Sequence, residues 1–118
     1  MTVYVDDMKA KFGRMVMCHM LADTDEELHA MADKIGVARR WWQSPEKTSG
    51  SHYDIALSMR AKAVALGAVE ITWRQAGAMN SRRRIYGYLG KPTDPWDGFV
   101  AESQKARAAI AAATEGAV

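Results

Sequence analysis

Apolar and polar positions change rhythm several times along this chain. Thr2-Val3-Tyr4-Val5 is β-branched and aromatic and is stopped by Asp6 and Asp7, which predicts a short strand. Lys9 to Arg14 has no clear period and reads as a loop. Met15 to Leu21 is almost continuously apolar and of strand length, the pattern of a buried strand. The rhythm then becomes helical. Thr24 with Glu27 three residues on predicts a capping box, and Asp25, Glu26 and Glu27 fill the first turn, where the helix dipole favours carboxylates. Leu28, Met31, Ala32 and Ile35 recur at i, i+3, i+4 and i+7, and Gly36 follows where a left-handed residue ends a helix.

Val37 to Gln43 reads as a strand leaving that helix, and Ser44 to Ser51 as a polar loop. A second helix is predicted from about Asp54 to Leu66, with Ile55, Met59, Ala63 and Leu66 toward the core. Gly67 ends it, and Ala68 to Thr72 resumes as a strand. Trp73 to Met79 suits a short helix, and Ala101 to Ala113 is helical by alanine propensity. Strands alternating with helices predict an α/β fold: one small layered domain with a short, largely parallel sheet flanked by helices, plus a C-terminal helix. The expected division is an α/β domain over residues 1–100 and an alanine-rich helix or tail over residues 101–118.

Composition narrows the setting. The chain has 118 residues, 48% hydrophobic and 25% charged, which suits one soluble core. No apolar run nears the roughly 20 residues of a membrane span, so no membrane partner is expected. The first residues lack the basic and apolar regions of a secretory signal. Cys18 is the only cysteine, so no intrachain disulfide forms, and a cytoplasmic location is expected. Its adjacent His19 would point to the opposite face of a strand, which makes Cys18 a small core residue rather than half of a catalytic dyad.

Charge is uneven. The net is +2, but residues 1–59 hold 7 Lys/Arg against 9 Asp/Glu, and residues 60–118 hold 9 against 5. The densest basic feature is Arg82-Arg83-Arg84, followed by Tyr86 and Tyr88, a combination suited to nucleic-acid phosphates and bases or to a helix end.

In a parallel sheet, ligands bind at the carboxyl ends of the strands. There the expected strands place Asp6, Asp7, Asp23, Gln43 and Thr72, with His19 a few residues inside and His52-Tyr53-Asp54 leading into the second helix. Three readings follow. A phosphate-bearing ligand, a nucleotide or a nucleic-acid end, could sit at the second helix, with His52 and Arg60 as anion contacts. Tyr53 and Trp42 would then stack on a base, and Gln43, Asp6 and Asp54 would orient it. Alternatively, a divalent metal could be held by some of Asp6, Asp7, Asp23, His19, His52 and Asp54. That is the basis of a metal-dependent phosphodiester hydrolase or nuclease using Asp6, Asp23, His19 and Asp54. In a purely structural reading, Asp23 and Asp54 cap helices and His19 is a satisfied core histidine.

Several stretches in order resemble a known family: Thr2-Val-Tyr-Val-Asp-Asp7, Met17-Cys-His-Met-Leu-Ala-Asp-Thr24, Glu27-Leu-His-Ala30, Arg40-Trp-Trp-Gln43, His52-Tyr-Asp-Ile55 and Gly67-Ala-Val-Glu-Ile-Thr72. They are similar to a small group of bacterial and phage proteins defined by domain of unknown function 4031, over about residues 1–75. The resemblance implies that Asp6, Asp7, His19, Asp23, Trp42, Gln43, His52, Tyr53, Asp54 and Arg60 belong to the family pattern. It also implies a bacterial or phage cytoplasm. Short phage proteins often blunt host defences, so a protein partner, a host defence enzyme, is a further expectation.

Overall fold

The computed structural model describes residues 2–46, 48 and 50–94. In chain order the elements are β1 (Val3–Val5), β2 (Ala10–Phe12), β3 (Met15–Ala22), α1 (Asp25–Ile35), a 3₁₀ turn (Arg39–Trp41), β4 (Trp42–Gln43), β5 (His52–Ala56), α2 (Leu57–Ala65), β6 (Val69–Glu70) and α3 (Trp73–Tyr86). The strands form one sheet in the order β4-β5-β3-β1-β6, with β2 also paired to β3.

The sheet separates two apolar clusters. Val5, Cys18, Met20, Tyr53 and Ile55 pack against Leu28, Ala32 and Ile35 of α1 and Ala63 of α2. Tyr4 and Leu21, on the opposite face by strand alternation, pack against Ala76 and Met79 of α3. The result is a three-layered α/β arrangement.

The sheet is mixed rather than largely parallel. β1 and β6 pair in parallel, whereas β1–β3, β2–β3, β3–β5 and β4–β5 are antiparallel. The physical reason is interleaving. β3 and β4 run in the same direction on either side of α1, but β5 lies between them. β5 and β6 run in the same direction on either side of α2, but β3 and β1 lie between them. Each strand–helix–strand unit keeps the expected direction, and adjacency is what differs.

Local chemistry explains most elements. Thr24 accepts a hydrogen bond from the Glu27 N–H and caps α1, and Gly36 ends it at φ 84°. The cap is one-sided, because the Thr24 hydroxyl donates to the Glu27 carboxylate instead of Glu27 reaching the Thr24 backbone. All four predicted apolar residues of α1 are buried.

Four expectations are corrected. Lys9 to Arg14 is not a plain loop: Ala10–Phe12 pairs with Met15–Met17 in an exposed hairpin turned by Gly13 at φ 60°. Val37 to Gln43 is strand only at Trp42 and Gln43. Strand β5 takes His52 to Ala56, because pairing with Met17–Met20 claims those residues, and α2 starts only at Leu57. Of the residues assigned to that helix's core face, Ala63 is buried and Leu66 is exposed. Lastly, α3 is twice the expected length and opens with a full capping box between Thr72 and Gln75. The expected helix over Ala101 to Ala113 lies outside the described residues, and among those described no helix is long and apolar enough to cross a membrane.

Candidate metal centre

The site lies on the α3 face of the sheet, not on a rim. β3 is flanked on one side by β5 and on the other by β1 and β2, which are separated by a gap at residues 6–9. In that gap the His19 N–H has no strand carbonyl to meet. The wholly buried Asp6 fills it, with Oδ1 accepting from the His19 N–H at 2.8 Å and from the Met8 N–H at 3.3 Å. Its other oxygen, Oδ2, lies 2.7 Å from His19 Nδ1. A carboxylate can only accept, so Nδ1 carries the proton and Nε2 turns its lone pair to the cleft.

Next door, His19 pairs across strands with Asp54, and His52 precedes Asp54 by two residues on β5. Alternation puts all three side chains on one face. His52 Nδ1 lies 2.6 Å from the Gly50 carbonyl oxygen, so it too is protonated at Nδ1 and open at Nε2. Asp54 Oδ1 stands 3.7 Å from His19 Nε2 and 3.5 Å from His52 Nε2, while Oδ2 accepts from Gln43 Nε2 at 2.8 Å. The histidine rings meet edge-on with centroids 5.2 Å apart. One ligand atom from each residue lies within 4.8 Å of the others.

Three electron-pair donors thus face one point. Ligand atoms about 2.1 Å from a tetrahedral ion stand about 3.4 Å apart, close to the two His–Asp separations. Each donor is also fixed from behind, by Asp6, by the Gly50 carbonyl and by Gln43, the arrangement that orients metal-bound imidazoles and carboxylates. The charges agree with a cation at this point. The hydrogen bond that His19 donates to Asp6 raises the His19 pKa against the opposing effect of burial, and the Asp6 and Asp54 charges add to it. The close approach of His52, with His19 adding to it, lowers the Asp54 pKa against the opposing effect of burial. Cys18, on the other face, is pushed up to about 11, chiefly by burial, and is no ligand here.

A cleft of about 270 Å³ opens over the two histidines between sheet and α3, lined by His19, His52, Met8, Trp73, Asn80 and Arg84 among others. Gly50 belongs to the machinery as well. A Cβ there would lie 2.7 Å from Asn80 Oδ1, itself held by Arg83, so the loop that orients His52 needs a residue without a side chain.

The other predicted site residues are scattered. Asp23 bonds Thr2 beyond the far end of β3, away from the trio, because β3 runs antiparallel to β1. Asp7 accepts from the Trp73 N–H at 2.7 Å and so tethers the start of α3. Tyr53 is wholly buried on the opposite face with its hydroxyl 2.7 Å from His29 Nδ1, so it offers no stacking platform. Trp42 packs against the same core and donates to Ser51. Arg60 donates to the Asp6 carbonyl and to Glu70, and α2 begins past His52, so the anion cradle expected at that helix start is not assembled. In the arginine run, Arg82 donates to the Leu89 carbonyl and Arg83 to the Ala22 and Ser51 carbonyls, leaving Arg84 as the member at the cleft. The most specific sequence signal was His52-Tyr53-Asp54, whose two-residue spacing puts ligand types on one face of a strand.

A family model described as a protein of unknown function, DUF4031, matches residues 3–83. The chain belongs to this family. The DUF4031 match reaches past the residues that carried the resemblance, takes in α3 to Arg83, and includes Asp6, His19, Gln43, Gly50, His52 and Asp54. Comparison with the curated proteins and with the solved structures finds no match.

Proposed function

We propose that this DUF4031 protein is a hydrolase of phosphoester bonds that works with a divalent metal held by His19, His52 and Asp54. The observation that carries this reading is the convergence of two imidazole Nε2 atoms and a carboxylate oxygen, each oriented by an outer partner. Two histidines and one carboxylate leave coordination positions free, which distinguishes a reactive centre from a closed structural one and suits Zn²⁺, Mn²⁺ or Fe²⁺. A metal there would supply a water made acidic enough to lose a proton near neutral pH. Such a water would attack phosphorus as the bond to the departing oxygen breaks, with that oxygen taking up a proton from solvent. Arg84 at the cleft supports a phosphate-bearing substrate, since a guanidinium matches phosphate geometry. This reading joins the phosphate ligand and the metal expected separately from the sequence, with His52 in the place first given to Asp23 and Asp6 as the outer partner of His19 rather than a ligand.

The test uses chelator-stripped protein and a chromogenic phosphodiester. Adding back Zn²⁺ or Mn²⁺ restores turnover, and His52→Ala or Asp54→Asn lowers it by more than about 100-fold, beyond what loss of an outer partner costs. Metal-independent turnover, or full activity in either variant, contradicts the reading.

A further inference from the structure

We infer that the substrate of this centre is a single-stranded nucleic acid, held by base stacking on Phe12 and Trp73; the assignment of chemistry rests on the metal reading above, but the binding surface does not. By strand alternation and by the pairing of Phe12 with Met15, both side chains lie on the same sheet face as His19, four residues along β3. That distance is about 13 Å. Phe12 is 71% exposed and Met15 48%, so an apolar platform runs from the hairpin toward the trio. Across the cleft, Trp73 lines the opening, is 56% exposed, and carries the Arg74 guanidinium 5.5 Å from its ring centroid.

Charge selects the occupant. Residues 8–22, which form the hairpin side, contain Lys9, Lys11 and Arg14 and no carboxylate. On α3, the other wall, Arg84 lines the cleft and Arg74 lies against Trp73, and the helix contains no carboxylate. The chain as a whole carries only +2, so these two walls concentrate cations where the rest of the molecule balances them. Exposed rings beside cations are how proteins hold unpaired strands: bases stack on the rings while phosphates follow the charges. A duplex has no free base faces to offer.

The experiment is fluorescence anisotropy with a labelled oligothymidylate about 10 nucleotides long, within the usual footprint of a stacking platform, and a duplex of equal length. Excess chelator keeps the metal site empty, so binding is read apart from chemistry. The single strand binds in preference to the duplex, and affinity falls as salt rises from about 50 to about 200 mM. Phe12→Ala and Trp73→Ala each weaken it about tenfold, the usual loss for one stacked base. Both rings are exposed, and unchanged circular dichroism and urea denaturation of the variants confirm that the fold is intact. No binding at low salt, equal binding of duplex, or unchanged affinity in either variant overturns the inference. If the strand binds and metal does not, the hydrolase reading falls and the surface stands; if metal binds and the strand does not, only this inference falls.

Discussion

Asp6 has its effect through another residue, which makes it the sharpest single substitution. Its two oxygens hold both the backbone N–H and the ring of His19, fixing the ring with Nε2 toward Asp54. Asp6→Asn keeps the shape and one acceptor but presents an NH₂ group to Nδ1, favouring the tautomer with the proton on Nε2. Metal affinity is expected to fall about 10- to 100-fold, read by isothermal titration of Zn²⁺, with circular dichroism unchanged. Titration behaviour follows from the same contact. His19 is held above its unfolded value of about 6.5, chiefly by the Asp6 hydrogen bond. In metal-free protein its proton therefore adds stability that is complete below about pH 6.5 and lost as pH rises through the folded value. Metal competes for that same Nε2, so its affinity moves the opposite way and is weaker at about pH 6 than at about pH 8. Equal affinities at both pH values would contradict the role given to His19. At this scale the sequence was partly legible. Asp6, His19, His52 and Asp54 were singled out by residue type, but the division into ligands and outer support depends on the interrupted β1–β2 edge, which no local pattern encodes.

Among the elements, helices read well and strands less well, for a physical reason. The face of α1 and its Thr24 and Gly36 ends are encoded within the segment itself, and the structure has all of them. β5 is harder to bound: His52 to Ile55 alternates polar and apolar, but it runs straight into α2, and pairing with β3 is what fixes its extent. The length of α3 was hidden because its arginines and Gly77 blur any apolar face, although Thr72 and Gln75 cap it clearly. Gly77 lines the cleft, and a Cβ there would meet nothing within 4 Å. Gly77→Ala is expected to stabilise the protein by roughly 0.5–1 kcal/mol in urea denaturation, since alanine loses less freedom in a helix. Gly77→Leu should leave Zn²⁺ affinity intact yet raise the KM for a phosphodiester, because its larger side chain occupies the substrate's space; an unchanged KM would place the substrate elsewhere.

For the whole molecule, the alternation of strands and helices conveyed the α/β class and the direction of each unit, but not which strands become neighbours. Adjacency depends on pairings distant in sequence, and it is adjacency that moved the site from a rim to the face beneath α3. The antiparallel β3–β5 pairing is what brings His19 opposite Asp54, and the same topology sends Asp23 to the far end. The most direct measurement is an anomalous difference map from a crystal grown with Zn²⁺. One strong peak is expected about 2.0–2.2 Å from His19 Nε2, His52 Nε2 and an Asp54 oxygen, with Asp6 still bonded to His19 Nδ1. A map with no peak there, or with zinc bound only at other residues, would contradict the metal reading.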